Sequence, residues 1–139
     1  MTDFSTSVRR TAPVDTRWRT SKHGEANATP GMILVSNLVE GTHYNVGGRK
    51  DYVVPSGLAL TWDSDSKTYK PFDGTNLDGF VNNDEGVALR NAAGETSKQV
   101  AVAVLVHGIV DPRFLPITDQ RTSVTAATAG AGVFSFIKA

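Results

Sequence analysis

Residues 99–110, QVAVAVLVHGIV, constrain the fold more than any other stretch of the chain. Val100, Val102, Val104 and Val106 fall on one face of an extended strand, and Ala101, Ala103 and Leu105 on the other. Side chains alternate across a strand, and β-branched residues favour it. With both faces apolar, the run predicts a central strand covered on two sides. A domain built around it is β-rich.

Weaker elements of the same kind surround it. MILVSNLV, from Met32, is an apolar run short enough for a buried strand, and GTHYNVGGR after it is a glycine-rich loop. In DYVVPSGLALTWD, Leu58, Leu60 and Trp62 alternate with Ala59, Thr61 and Asp63, which assigns Trp62 to a buried face. DSDS turns the chain and KTYKPF returns as the second arm of a hairpin. Pro71 has no N–H to give, so this arm is expected at a sheet edge or at a bend. EGVALR reads as a short strand, NAAGETS as a turn, and VFSFIK as a closing strand.

Two helical starts precede that last strand. Asp111-Pro112 pairs an N-cap carboxylate with proline at the first helical position, and Pro116 limits the helix to about one turn. Thr118 or Asp119 can cap a second helix through QRTSVTAATA, ended by Gly130. The expected class is α+β, mostly β: a compact mixed-sheet domain with one or two short helices near the C-terminus and an extended N-terminal arm. The arm is placed at residues 1–30 and the core domain at 31–139. Residues 1–30 carry Arg9, Arg10, Arg17, Arg19 and Lys22 against Asp3, Asp15 and Glu25, a net +2 that leaves −2 for the rest. Their large apolar groups, Phe4, Val8, Val14 and Trp18, are too scattered to offset the entropy of ordering the segment alone.

Composition excludes several functions. Fourteen Lys and Arg balance fourteen Asp and Glu, so no overall field draws the chain to nucleic acid or an anionic membrane. With no cysteine, disulfides and thiolate metal sites are ruled out. No apolar run approaches the roughly 20 residues of a membrane helix, and the first residues lack a signal-peptide core, so a soluble protein is expected.

The chemistry-bearing residues form no recognisable site. His23, His43 and His107 are far apart and lack metalloprotease spacing. Asp63-Ser64-Asp65-Ser66-Lys67 imitates the opening of a calcium loop but has neither its later glycine nor its bidentate glutamate, and a hairpin turn explains it. Asp73, Asp78, Asp84 and Glu85 read as a solvated acidic face. In PFDGTNLDGF, residues 71–80, two Asp-Gly pairs mark turns: Asp73-Gly74 leads out of the hairpin and Asp78-Gly79 into the next strand, with Phe72 and Phe80 as core anchors on either side. No catalytic residue, metal or cofactor is expected.

PSGLALTWDSDSKTYKPFDGTNLDGFV, residues 55–81, resembles the core of the lambda-type head decoration proteins of tailed bacteriophages. The shared order is a Pro-led apolar strand (Pro55 to Trp62), a polar hairpin (Asp63 to Ser66), a Lys-x-x-aromatic-like return strand (Lys67 to Phe72) and an Asp-Gly-Thr turn (Asp73-Gly74-Thr75). Residues 109–139 are similar to the family's acidic, Pro-containing helical segment and final apolar strand. The resemblance covers residues 50–139; the longer N-terminal part and residues 82–106 depart from it. It implies a non-enzymatic virion protein, made in the host cytoplasm. On the outer surface of an expanded head it would sit as a homotrimer at threefold positions, bridging major capsid proteins against the pressure of packaged DNA. Phe4, Val8, Arg9, Arg10, Val14, Arg17, Trp18 and Arg19 are then the expected capsid-binding arm, with Trp18 as anchor, since large aromatics and arginine dominate interface energetics. Other classes stay open: a phage tail or head–tail component, a divalent-metal site at Asp63 and Asp65, or a carbohydrate-binding platform of Trp62, Tyr69 and Phe72.

Overall fold

A computed structural model describes residues 15–20 and 28–138. Strand makes up 38% of it and helix 14%, which is the mostly β, α+β class.

Among the described residues nine strands occur in chain order: β1 (Thr29–Leu34), β2 (Val53–Val54), β3 (Ala59–Asp63), β4 (Thr68–Pro71), β5 (Gly79–Val81), β6 (Val87–Ala88), β7 (Gln99–Leu105), β8 (His107–Val110) and β9 (Val133–Phe136). Five close into a barrel in the order β1-β4-β3-β5-β7. β1 runs antiparallel to β7 along its whole length, from Thr29 opposite Val104 to Leu34 opposite Gln99. The apolar run at Met32 is therefore a strand, and it starts three residues earlier than its hydrophobicity shows. β3 and β4 form the expected hairpin, with Trp62 opposite Tyr69. A parallel bridge between Ile33 and Tyr69 closes the ring. β4 is thus not an edge strand. Pro71 is accommodated because it is the last residue of β4, and pairing passes on through the Phe72 N–H to the Ala59 carbonyl. Closure removes the exposed ladder that an open sheet of this size would present.

Two cores form, one inside the barrel and one outside it. Ile33, Leu58, Leu60, Tyr69, Val81, Val102 and Val104 belong to the first. Trp18, Ala59, Leu77, Phe80, Leu105, Val110, Leu115 and Val124 make the second, beneath the C-terminal segments. β3 serves both, so Ala59 and Thr61 are buried as completely as Leu60. The alternation rule fails at the far end of the strand: Trp62 is 42% exposed, because it stands at the hairpin end, where the apolar filling runs out. β7 is central but covered on both sides only at its end. Val100, Val102 and Val104 fill the barrel while Ala101 faces outward, and Leu105 alone reaches the second core.

The helical segment is shorter than its pattern suggests. Asp111 caps a 3-10 turn at Pro112–Phe114, its carboxylate accepting the Arg113 N–H at 3.1 Å. α1 (Gln120–Ser123) runs into a 3-10 turn at Val124–Ala126 and stops there, well before Gly130. The amides of Thr128 and Ala129 both donate instead to the Thr75 carbonyl, so tertiary bonds replace helical ones. Gln120 pins α1 to β3. Its side chain accepts from the Ala59 N–H at 2.9 Å and donates to the Ala59 carbonyl at 3.3 Å.

Candidate functional site

The segment Thr16–Thr20, TRWRT, lies against the second core as a turn, the Arg19 N–H donating to the Thr16 carbonyl at 3.0 Å, that ends in an isolated bridge. Arg19 bridges Val110 in antiparallel fashion, the Asp111 N–H donates to the Trp18 carbonyl at 2.7 Å, and the Thr20 N–H donates to the Ile109 carbonyl at 3.2 Å. Trp18 points inward and Arg17 outward, while the Arg19 side chain is largely buried.

Trp18 has no exposed surface. Its indole N–H donates to the Ser56 hydroxyl at 3.1 Å, and its ring lies 5.5 Å from that of Phe80. Gly57 leaves room for it: a Cβ there would stand 2.9 Å from the ring. This corrects two expectations. Trp18 is not a capsid anchor but a core residue, and residues 15–20 belong to the domain rather than to an arm ending at residue 30. Trp18 looked peripheral because no apolar neighbour in the sequence accompanies it; its partners Ser56, Phe80 and Leu115 are all distant.

Arg19 is equally committed. Its guanidinium, 7% exposed, donates to the Asn82 side chain at 2.6 Å and pairs with Asp84 at 2.6 Å. Arg17 pairs with Asp15 at 2.8 Å and lies 4.4 Å above the Phe114 ring. The Arg17 hydrogen bonds hold the Asp15 carboxyl below the usual range, and Asp15 raises Arg17 in turn. Phe4, Val8, Arg9, Arg10, Val14 and His23 lie outside the described residues.

The two Asp-Gly pairs are not equivalent. Asp73 accepts from the Thr75 and Asn76 amides, both at 2.8 Å, and Gly74 turns with φ 93°. These bonds, that from Asn76 first, depress the Asp73 carboxyl. Asp78 instead ties distant segments, accepting from the Trp62 N–H at 2.7 Å and the Ala131 N–H at 2.8 Å. Gly79 does not have positive φ. It is buried in β5, where a Cβ would meet Val104 and, at 2.9 Å, the Leu105 carbonyl oxygen. Its role is close approach of backbones, not a turn.

The remaining candidates separate. Asp63 accepts the Asp65 N–H at 3.0 Å as a turn residue, and that bond is the main cause of its depressed pKa. Among the described residues no three His, Asp or Glu side chains gather in metal-binding geometry. The His43 imidazole accepts the Val39 N–H at 2.9 Å, and burial lowers its pKa. Trp62 and Tyr69 meet edge to face, 67° between planes, so they do not offer one flat stacking surface, and Phe72 packs into the second core.

Asp111 is 4% exposed and receives three bonds from Arg113: from Nε at 2.9 Å, from the terminal guanidinium nitrogen at 2.7 Å and from the amide. The guanidinium bonds above all hold its carboxyl below the ordinary value, which is about 3.9 in an unfolded chain. A depressed folded pKa means that the unfolded state takes up the proton first as pH falls. The stabilisation is present above about pH 4 and lost as pH drops through the lower folded value. Asp111→Asn keeps an oxygen for the Arg113 amide but loses the charge. Thermal melts between pH 5 and pH 2 should show a shallower acid decline for this variant than for the parent.

A second surface lies at the C-terminus. Among the described residues β9 pairs only with β8, in parallel, and Val133 and Ile137 are exposed by 64% and 39%. Next to it opens a groove of about 870 Å³ lined by Arg113, Arg121, Thr125, Phe136, Ile137 and Lys138. No protein family, curated protein or solved structure matches the chain.

Proposed function

We propose that the chain is a non-catalytic structural subunit of a bacteriophage virion. It decorates the outside of the expanded head as a homotrimer at threefold positions and bridges major capsid proteins against internal DNA pressure. The observation that carries this reading is the clamp at Trp18. It holds residues 15–20 against the domain, so the fourteen residues before Asp15 leave from a fixed point. Fourteen residues span at most about 50 Å, enough to reach a neighbouring subunit. They include Phe4, Val8, Arg9, Arg10 and Val14, which keep the role of capsid contact that Trp18 loses.

Two further features support it. Three arginines close on carboxylates of the same domain, Arg17 on Asp15, Arg19 on Asp84 and Arg113 on Asp111, as suits a rigid scaffold. A closed barrel with a second core outside it is also a stiff unit for bridging. A threefold interface between folded domains persists without the capsid. Sedimentation equilibrium of the free protein at micromolar concentration should therefore give about three times 14.8 kDa. A single-chain mass under those conditions counts against the trimer.

A further inference from the structure

Among the described residues β9 itself pairs with β8 alone; on its opposite edge the Gly132 amide, just before the strand, donates to the Leu77 carbonyl at 3.1 Å. The Val133 and Ile137 amides donate to the Val106 and Val110 carbonyls, each at 2.9 Å. Alternation therefore turns the amides of Phe134 and Phe136 to the opposite edge, where no described strand pairs with them. On one face of that edge stand Val133 and Ile137, two of the five large apolar residues exposed among the described ones. On the other, Phe134 and Phe136 pack into the second core and the groove begins.

The charge of this groove is one-sided. Arg113 is matched by Asp111, but Arg121 and Lys138 form no ion pair with a described residue, and no carboxylate of a described residue lines the groove. Arg121 is held in place by its Nε bond to the Leu115 carbonyl at 2.8 Å. A natural edge strand is commonly blunted by charge or covered. Here Lys138 lies just past the end of the strand, and Val133 to Phe136 carry no charge of their own.

We propose that the free edge of β9 takes an extended segment of a partner protein by strand addition, and that this segment alternates β-branched apolar residues with acidic ones. Main-chain bonds to the edge supply affinity, and the two faces read alternate side chains. Apolar groups pair across the ladder with Val133 and Ile137, while carboxylates on the other face meet Arg121 and Lys138. The inference stands apart from the capsid reading. If both hold, the segment belongs to the capsid protein and the trimer forms through another surface.

The test is selection from a random eight-residue peptide library displayed on yeast, with the intact chain as bait. Enriched peptides should carry Asp or Glu at alternate positions between Val, Ile or Thr. The double variant Arg121→Glu, Lys138→Glu, both at exposed positions, should select Lys or Arg there instead. N-methylation of an enriched peptide at alternate residues should lower affinity at least tenfold in one register and little in the other. The proposal is overturned by any of four results: no enrichment, the same acidic preference in the double variant, insensitivity to N-methylation in both registers, or oligothymidine binding tighter than every peptide. Self-association of the chain that blocks the peptides would assign the edge to a second copy and overturn it as well.

Discussion

Trp18→Ala should destabilise the domain by about 3–5 kcal/mol, the range for truncating a large aromatic in a packed core. The indole is fully buried, touches Phe80, and fills the space that Gly57 leaves open. Its removal also strands the Ser56 hydroxyl, itself only 7% exposed, without its donor. An unmet buried polar group adds a further penalty of about 1–3 kcal/mol where water cannot enter. Urea unfolding of the variant should show a lower midpoint with little change in slope. Removing residues 2–22 deletes Trp18 and should be at least as damaging, whereas removing residues 2–14 leaves every contact described for the domain in place. A Trp18→Ala protein as stable as the parent would return residues 15–20 to the arm.

Gly79→Ala should cost about 3 kcal/mol, the upper part of the usual range for overpacking. The added methyl meets Val104 and the Leu105 carbonyl oxygen at 2.9 Å, and a β7 backbone in the barrel wall cannot step aside. Gly74→Ala makes a useful contrast. Its φ of 93° is unfavourable for alanine, yet a Cβ there meets nothing within 4 Å. The cost should be about 1–2 kcal/mol. Thermal unfolding of both variants decides the order. If Gly74→Ala is the worse, conformational strain outweighs backbone packing in this stretch.

These two sites mark where the sequence could and could not be read. Local patterns carried far: the 59–71 hairpin, the Asp111-Pro112 turn and the β7 run each announce themselves through neighbours in sequence. What failed depended on contacts across the chain. Barrel closure joins Ile33 to Tyr69, so Pro71 gave no warning that β4 is enclosed. The second core recruits Trp18 to Phe80 and Leu115, so a tryptophan among arginines looked like an arm residue. Asp78-Gly79 shares its dipeptide with Asp73-Gly74, but only the fold distinguishes a staple from a turn. The C-terminal edge was visible as a strand, while its one-sided pairing and its cationic groove arise from the partners that β8 and α1 supply.

The most direct measurement is decoration itself. Purified protein is mixed with emptied, expanded heads of tailed bacteriophages and, separately, with unexpanded shells, and bound copies are counted by mass and by imaging. The account predicts saturable binding to expanded heads at threefold positions, three chains per site, and bare unexpanded shells. Expanded heads left bare by folded, full-length protein would contradict it.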